Sequence, residues 1–515
     1  MTGKAPGSRN GTFGNKLVKS PEIAKKWIYV GMALLAFILV LTLAPPDSLV
    51  QTITKSINSA TGKPAYPQMM HSGRPAMATL AVLVFCLILW VTEAIPFHIT
   101  GFLSLALLTL LRVGPYADII RTGFGNEIVV FFLGVLALTA FIIRSGLGRR
   151  ISAFILSITG NDTRLIILGF LIAGMLLSWW ITEMAVAAML MPLARAILEE
   201  EGCKPRESNF GRALMIAVAW GPMIGGIGTP AGTGANPVAM QFLSTMAGIQ
   251  LTFTDWMWFG VPSSILMFLP AWRILLFFFP PEMTHLKISK EELKRQFSRM
   301  PPMNREEKIT ILVFLLTVVI WIFSPLLEQI IKMPIPISLP ILITLCLFFF
   351  PGSSEIKWRE IEKEINWAGI LLIVSGLSLG TYLYRTGTAE WLAITFLGGI
   401  GKMGIFLQLF LVTLGVCLLK VLFSSNTVTA TILIPLIIGL GKATGTNVTA
   451  ITLAAGLTTS LAFILVTSTP TAVIPFNAGY FSIKDMAKAG VVITVFASLT
   501  IAAVFLVVGN LRGML

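Results

Sequence analysis

Two short polar runs, one in each half of the chain, hold the residues best suited to binding a small ion. Ser425-Asn426-Thr427 opens an apolar stretch closed by Pro435, and Thr182-Glu183-Met184 opens one closed by Pro192. Thr182 precedes its proline by ten positions, and Ser425 precedes its own by the same ten. Hydroxyl and amide groups supply donors and acceptor oxygens without formal charge. Their hard oxygens suit Na⁺, while donors gathered at a helix N-terminus suit a carboxylate. Polar groups are costly where water is scarce, and a binding site is the reason to keep them there.

The elements around these runs also come in pairs. Ile224 to Pro237 carries Gly228-Thr229-Pro230, and Leu465 to Gly479 carries Ser468-Thr469-Pro470, each at the end of an apolar run. Proline removes a backbone donor and glycine permits sharp turns, so both segments are expected to be broken helices. Upstream, Arg144-Ser145-Gly146 is matched by Arg385-Thr386-Gly387. Gly and Pro are common in membrane helices, so one such segment would carry no message. Three matched pairs in the same order predict a secondary transporter with its substrate site between two related halves.

Composition sets the class. The chain is 55% hydrophobic and 12% charged, against about 25% charged in soluble domains. Its mean hydropathy is +0.85, and repeated apolar runs reach the ~20 residues needed to cross a bilayer. An all-α polytopic membrane protein follows, since backbone groups in lipid must be satisfied within each segment. The expected organisation is a basic tail over 1–26, a first span and first repeat over 27–280, a charged linker over 281–308, and a second repeat over 309–515.

The net charge of +14 sits in the tail and the linker, where it reads as topology and not as a nucleic-acid footprint. Short basic segments stay on the cytoplasmic side. The N-terminus and the linker are therefore placed there, and the 45–76 loop and the C-terminal tail outside, in a plasma (inner) membrane. Glu291 and Arg295 are spaced for an i,i+4 pair, which predicts a surface helix in the linker. Cys86, Cys203, Cys346 and Cys417 show no paired spacing, and the three histidines are isolated, so neither pattern calls for a metal. No HExxH, nucleophile elbow or paired intramembrane aspartates appear, which argues against an enzyme. Paired broken helices favour alternating access over a channel filter.

At Ser425-Asn426-Thr427 with its apolar run to Pro435, the chain resembles the divalent anion/sodium symporter family, the INDY-type carboxylate transporters. Trp90 to Leu103, Ile365 to Leu379 and the Pro302 to Lys308 segment strengthen the resemblance, which covers most of the chain from about Trp90 onwards. It implies inverted-topology repeats with re-entrant hairpins, and a homodimer whose transport domains move against a scaffold as elevators. It implies substrates of the succinate, malate and 2-oxoglutarate class, with citrate or sulfate also allowed, and Na⁺ as coupling ion in many members. No other cofactor is expected.

Carried over by position, the resemblance assigns substrate contact to Thr182, Glu183, Met184, Thr229, Pro230, Ser425, Asn426, Thr427, Thr469 and Pro470. It assigns cation binding, or replacement of a cation by fixed charge, to Glu183, Gly228, Lys420, Asn426 and Ser468. The departure is the first run, where the family pattern would read Ser-Asn-Thr and this chain has Thr182-Glu183-Met184. The family's second loop also tends to carry an Asn shortly after Thr-Pro, where this chain has Ala472. A carboxylate beside a dianion is repulsive in a low-dielectric site. Glu183 therefore holds a cation (Na⁺ or a proton), pairs with a base such as Lys420, or points away. A built-in positive charge needs no ion to neutralise substrate, so the sequence is read as an anion exchanger, with Na⁺-coupled symport as the alternative.

Overall fold

A computed structural model of the chain describes residues 21–59, 73–151, 154, 160–287 and 301–514. Much of the basic tail and the Glu291–Arg295 pair lie outside the described residues. Among the described residues the elements are all helical, and nine helices are long and apolar enough to cross a membrane. Helix Thr163–Ser178 has only 16 residues, and its counterpart Ile405–Leu419 has 15 before a tight turn carries it to Leu422. A full crossing needs ~20, and each of these helices stops at one of the two polar runs.

The halves repeat the same order of elements, and their contacts are reciprocal. Helix Phe97–Leu110 packs on Trp367–Arg385, and its counterpart Ser338–Cys346 packs on Glu127–Ser145. Helix Glu183–Glu200 packs on Pro470–Phe476, while Asn426–Thr444 packs on Ala235–Phe242. The long helices that end each half, Phe253–Phe278 and Ile483–Leu511, pack on each other. The paired arginines noted in the sequence obey the same rule. Arg144 bonds Glu364 at 2.6 Å, and Arg385 bonds Asp118 at 2.6 Å, each tying a membrane helix to the short helix of the other half. Two inverted-topology repeats related by an approximate two-fold axis account for every one of these pairs.

Local chemistry starts the matched helices in matched ways. Asn126 caps Glu127–Ser145 and Asn366 caps Trp367–Arg385, each accepting from a backbone amide of the first turn. Thr252 with Asp255, and Ser482 with Asp485, form capping boxes at the two final helices. Such caps satisfy amides that have no partner within the helix.

One expectation fails. Pro192 and Pro435 do not close their apolar segments but lie inside Glu183–Glu200 and Asn426–Thr444. Proline costs one hydrogen bond, and in a membrane bundle neighbouring helices keep the rest of the segment helical.

The first hairpin is held by close backbone packing. A Cβ at Gly225 would lie 2.2 Å from the Met175 carbonyl oxygen, where helix Asn209–Gly226 crosses Thr163–Ser178. Gly415 meets nothing within 4 Å. Gly225→Ala is therefore expected to destabilise by about 1–3 kcal/mol, whereas Gly415→Ala leaves stability unchanged or raised. Thermal unfolding midpoints of the two variants in detergent check the contrast.

Candidate substrate site between the helix tips

Both polar runs sit where a helix ends inside the protein and another begins. In the first half Thr163–Ser178 ends, residues 179–182 are non-helical, and Glu183 opens the next helix. Thr182 is the N-cap but makes no side-chain capping bond. The Glu183 amide donates to the Gly232 carbonyl at 3.0 Å. The Thr229 hydroxyl donates to the Trp179 carbonyl, and the Asn236 amide donates to Gly226 and Thr229 carbonyls at 2.8 and 2.7 Å. Side chains thus do the work that water would do for these helix ends.

In the second half a tight turn, Lys420–Leu422, leads to Ser425, whose hydroxyl accepts from the Val428 amide at 3.4 Å. Asn426 then opens the helix. Thr469 caps Pro470–Phe476, accepting from the Thr471 amide. Lys420 is fully buried, and its ammonium donates to the Ser468 carbonyl at 2.7 Å and the Phe423 carbonyl at 3.3 Å.

The two tips meet at Glu183. Its Oε1 accepts from the Asn426 side-chain amide and from the Thr471 hydroxyl, the latter at 3.1 Å. Its Oε2, like Asn426 Oδ1, is buried without a hydrogen-bond partner among the described residues. The carboxylate is only 4% exposed and sits at the first position of its own helix, where the helix dipole favours negative charge. Lys420 does not reach it. Among the described residues no carboxylate lies at ion-pair distance from Lys420, so the Glu183–Lys420 pairing, one of the three readings of Glu183, is not a direct contact.

A cavity of about 210 Å³ opens against this junction. Of the residues expected from the sequence, Thr182, Glu183, Met184, Ser425, Asn426, Thr427, Thr469 and Pro470 line it. Gly228, Thr229 and Pro230 do not, nor do Lys420 and Ser468, which are buried outside the lining. The reason for the first three is register. In the second half the helix resumes directly after Thr469, but in the first half it resumes only at Ala235. Thr233 and Gly234 therefore take the place matched to Thr469, and Thr229 braces the tip from behind.

Phe97, His98, Asn366, Gly369 and Thr471, not singled out in the sequence, also line the wall. The signal was present, because four of the five lie in Trp90–Leu103 and Ile365–Leu379, the segments that carry the family resemblance.

Comparison with known proteins identifies the family and the fold. The family described as the sodium:sulfate symporter transmembrane region matches residues 65–515. The chain belongs to this family. It is a multi-pass membrane transporter and not an enzyme. Among curated relatives, the sodium-dependent dicarboxylate transporter SdcS of Staphylococcus saprophyticus is 28% identical over 429 residues, covering 80% of this chain and 82% of that protein. SdcS of Staphylococcus aureus is 27% identical over 441 residues, covering 82% and 84%. Among solved structures, the Alcanivorax borkumensis YdaH transporter matches with a TM-score of 0.56 at 15% identity, over 84% of this chain and 98% of that one. Neisseria gonorrhoeae MtrF, described as representing a class of antimetabolite efflux pumps, matches at 0.51 and 15% identity, over 96% and 95%. At that identity the two structures speak for the fold alone.

The register of the first loop is directly testable. In a background with Cys346→Ser, which removes the exposed thiol, Thr233→Cys and Thr427→Cys are expected to react with a small membrane-impermeant thiosulfonate. Thr229→Cys, fully buried, is expected to stay unmodified. Equal labelling at 229 and 233 would contradict the placement.

Proposed function

We propose that this chain is a Na⁺-coupled carrier of dicarboxylates of the succinate class, working by alternating access. The observation that carries the proposal is a cavity bounded by the N-termini of two helices that begin inside the protein. Helix N-termini present free amides and positive dipole ends, which suit carboxylates. Around them stand hydroxyls and amides from Thr182, Ser425, Asn426, Thr427, Thr233 and Asn366. In this reading Ser425 and Thr427 bind one substrate carboxylate, and Thr182 with Thr469 faces the other. Met184 and Pro470 border the carbon chain. Asn426 is held by Glu183 and sets the distance between the tips.

Sodium coupling is preferred to exchange because both relatives described above are named as sodium-dependent dicarboxylate transporters. Glu183 and the buried oxygens around it are a fitting environment for a small hard cation. An elevator-type movement, a homodimer and a cytoplasmic N-terminus belong to the same proposal, and the family resemblance supports them. The basic residues near the first span support the orientation.

Radiolabelled succinate is expected to enter empty proteoliposomes when an inward Na⁺ gradient is imposed, and not when K⁺ replaces Na⁺. Uptake that ignores Na⁺ and needs internal dicarboxylate would establish exchange instead. Thr427→Val is expected to weaken apparent succinate affinity by roughly ten- to a hundredfold, since hydrogen bonds to charged groups are worth about 1.5–3 kcal/mol. An unchanged half-saturation concentration would remove Thr427 from the site.

A further inference from the structure

The two repeats differ most in where positive charge comes from. In each repeat, two helical segments end close together beside the tip, and their last carbonyls point into buried space. The second repeat brings together the ends of the turns Lys420–Leu422 and Val466–Ser468. There the Lys420 ammonium takes the Phe423 and Ser468 carbonyls. The side chain is 0% exposed. Lysine at such a depth is costly unless its charge is used. Its partners are neutral carbonyls at C-terminal helix ends, where partial negative charge gathers.

The first repeat brings together the ends of Thr163–Ser178 and Asn209–Gly226. No lysine or arginine lies between Gly169 and Leu193. The Trp179 and Gly226 carbonyls are taken by the neutral donors of Thr229 and Asn236. Glu183 Oε2, Ser178 Oγ and Asn236 Oδ1 are buried there without partners among the described residues. One repeat therefore carries its own cation, and the matching place in the other carries a carboxylate and bare oxygens.

We propose that Lys420 is a tethered cation. Its ammonium fills the carbonyl cluster of the second repeat that a coupling Na⁺ would otherwise occupy, so the carrier binds one Na⁺ fewer per cycle than it would with a neutral residue at this position. This inference rests on the sodium-coupled reading and deepens it, because it concerns how many ions the same site takes. Unbound backbone carbonyls at half-helix ends are the usual ligands of the coupling ion in carriers of this construction. A primary ammonium with three donors is the side chain that best imitates such an ion. Glu183 and Lys420 do not touch, but they bond positions three residues apart, Glu183 the Thr471 hydroxyl and Lys420 the Ser468 carbonyl.

Two readouts test the proposal. The first is the thermal midpoint of purified protein titrated with NaCl at constant ionic strength against choline chloride, since an ion that binds only the folded state raises the midpoint by mass action. The second is the Na⁺ dependence of succinate uptake. Lys420→Ala is expected to make the midpoint rise more steeply with Na⁺ and to raise the Hill coefficient for Na⁺ in uptake by about one. Lys420→Gln keeps donors for both carbonyls while removing the charge, and provides the comparison should the alanine variant fail to fold. It is expected to require more Na⁺ than the wild type for half-maximal uptake. Lys420→Arg, which keeps the charge, is expected to retain the wild-type slope.

Folded Lys420→Ala protein with an unchanged Na⁺ slope and Hill coefficient, or Lys420→Gln protein with an unchanged half-saturating Na⁺ concentration, would overturn the proposal. If the wild type ignores Na⁺ in both assays, the sodium-coupled reading fails. A Lys420→Ala protein that then gains Na⁺ dependence still upholds the tethered cation, and one that does not refutes it.

Discussion

A helix that stops inside a membrane protein leaves terminal amides and carbonyls with no water to satisfy them. This chain creates that problem repeatedly around one small volume, and the rest of the site follows from how it is solved. Neutral side chains from the opposite strand of each broken segment, chiefly Thr229 and Asn236, close the carbonyl ends of the first repeat. Lys420 closes those of the second. The first residues of Glu183–Glu200 and Asn426–Thr444 line the cavity, on the side where a helix dipole favours an anion. The surrounding helices serve this arrangement. Close glycine crossings such as Gly225 on Met175 fix the hairpin arms, and capped starts such as Asn366 set the wall opposite.

The electrostatics turn on Glu183. A buried carboxylate is tolerated when donors and helix dipole offset its desolvation. Here Asn426 and Thr471 donate to one oxygen, and the carboxylate sits at the start of its own helix. The same bonds tie the two repeats together at one atom. The residue that departs from the family pattern is therefore also the mechanical joint between the tips. A change of occupancy on its unpartnered side can shift both Asn426 and Thr471 at once.

Much of this was legible in the chain, and the misses have physical causes. The matched ten-residue spacing identified both tips, because a polar run opening an apolar segment marks a helix start wherever it is buried. The arginine pairs Arg144 and Arg385 were visible as repeats, and they prove to be reciprocal ion pairs across the halves. The Thr-Pro match misled at Thr229. The first loop carries extra residues before its helix resumes, so Thr233 faces the cavity and Thr229 braces the tip. Pro192 and Pro435 read as stops, although tertiary packing carries both helices past them. His98 and Asn366 lie in segments that the family resemblance marked, but their place on the wall depends on how distant segments assemble, which no spacing shows. Lys420 was picked out by its cost in an apolar run, but its carbonyl partners depend on how Phe423 and Ser468 come together, which no spacing reveals.

The most direct test is an experimentally determined structure of the protein with 2-bromosuccinate in NaCl, using the bromine anomalous signal to locate the ligand. The signal should fall in the cavity between Ser425-Asn426-Thr427 and Thr182, with the Lys420 ammonium still on the Phe423 and Ser468 carbonyls. Ligand bound away from both tips would contradict the claim that the buried helix ends form the substrate site.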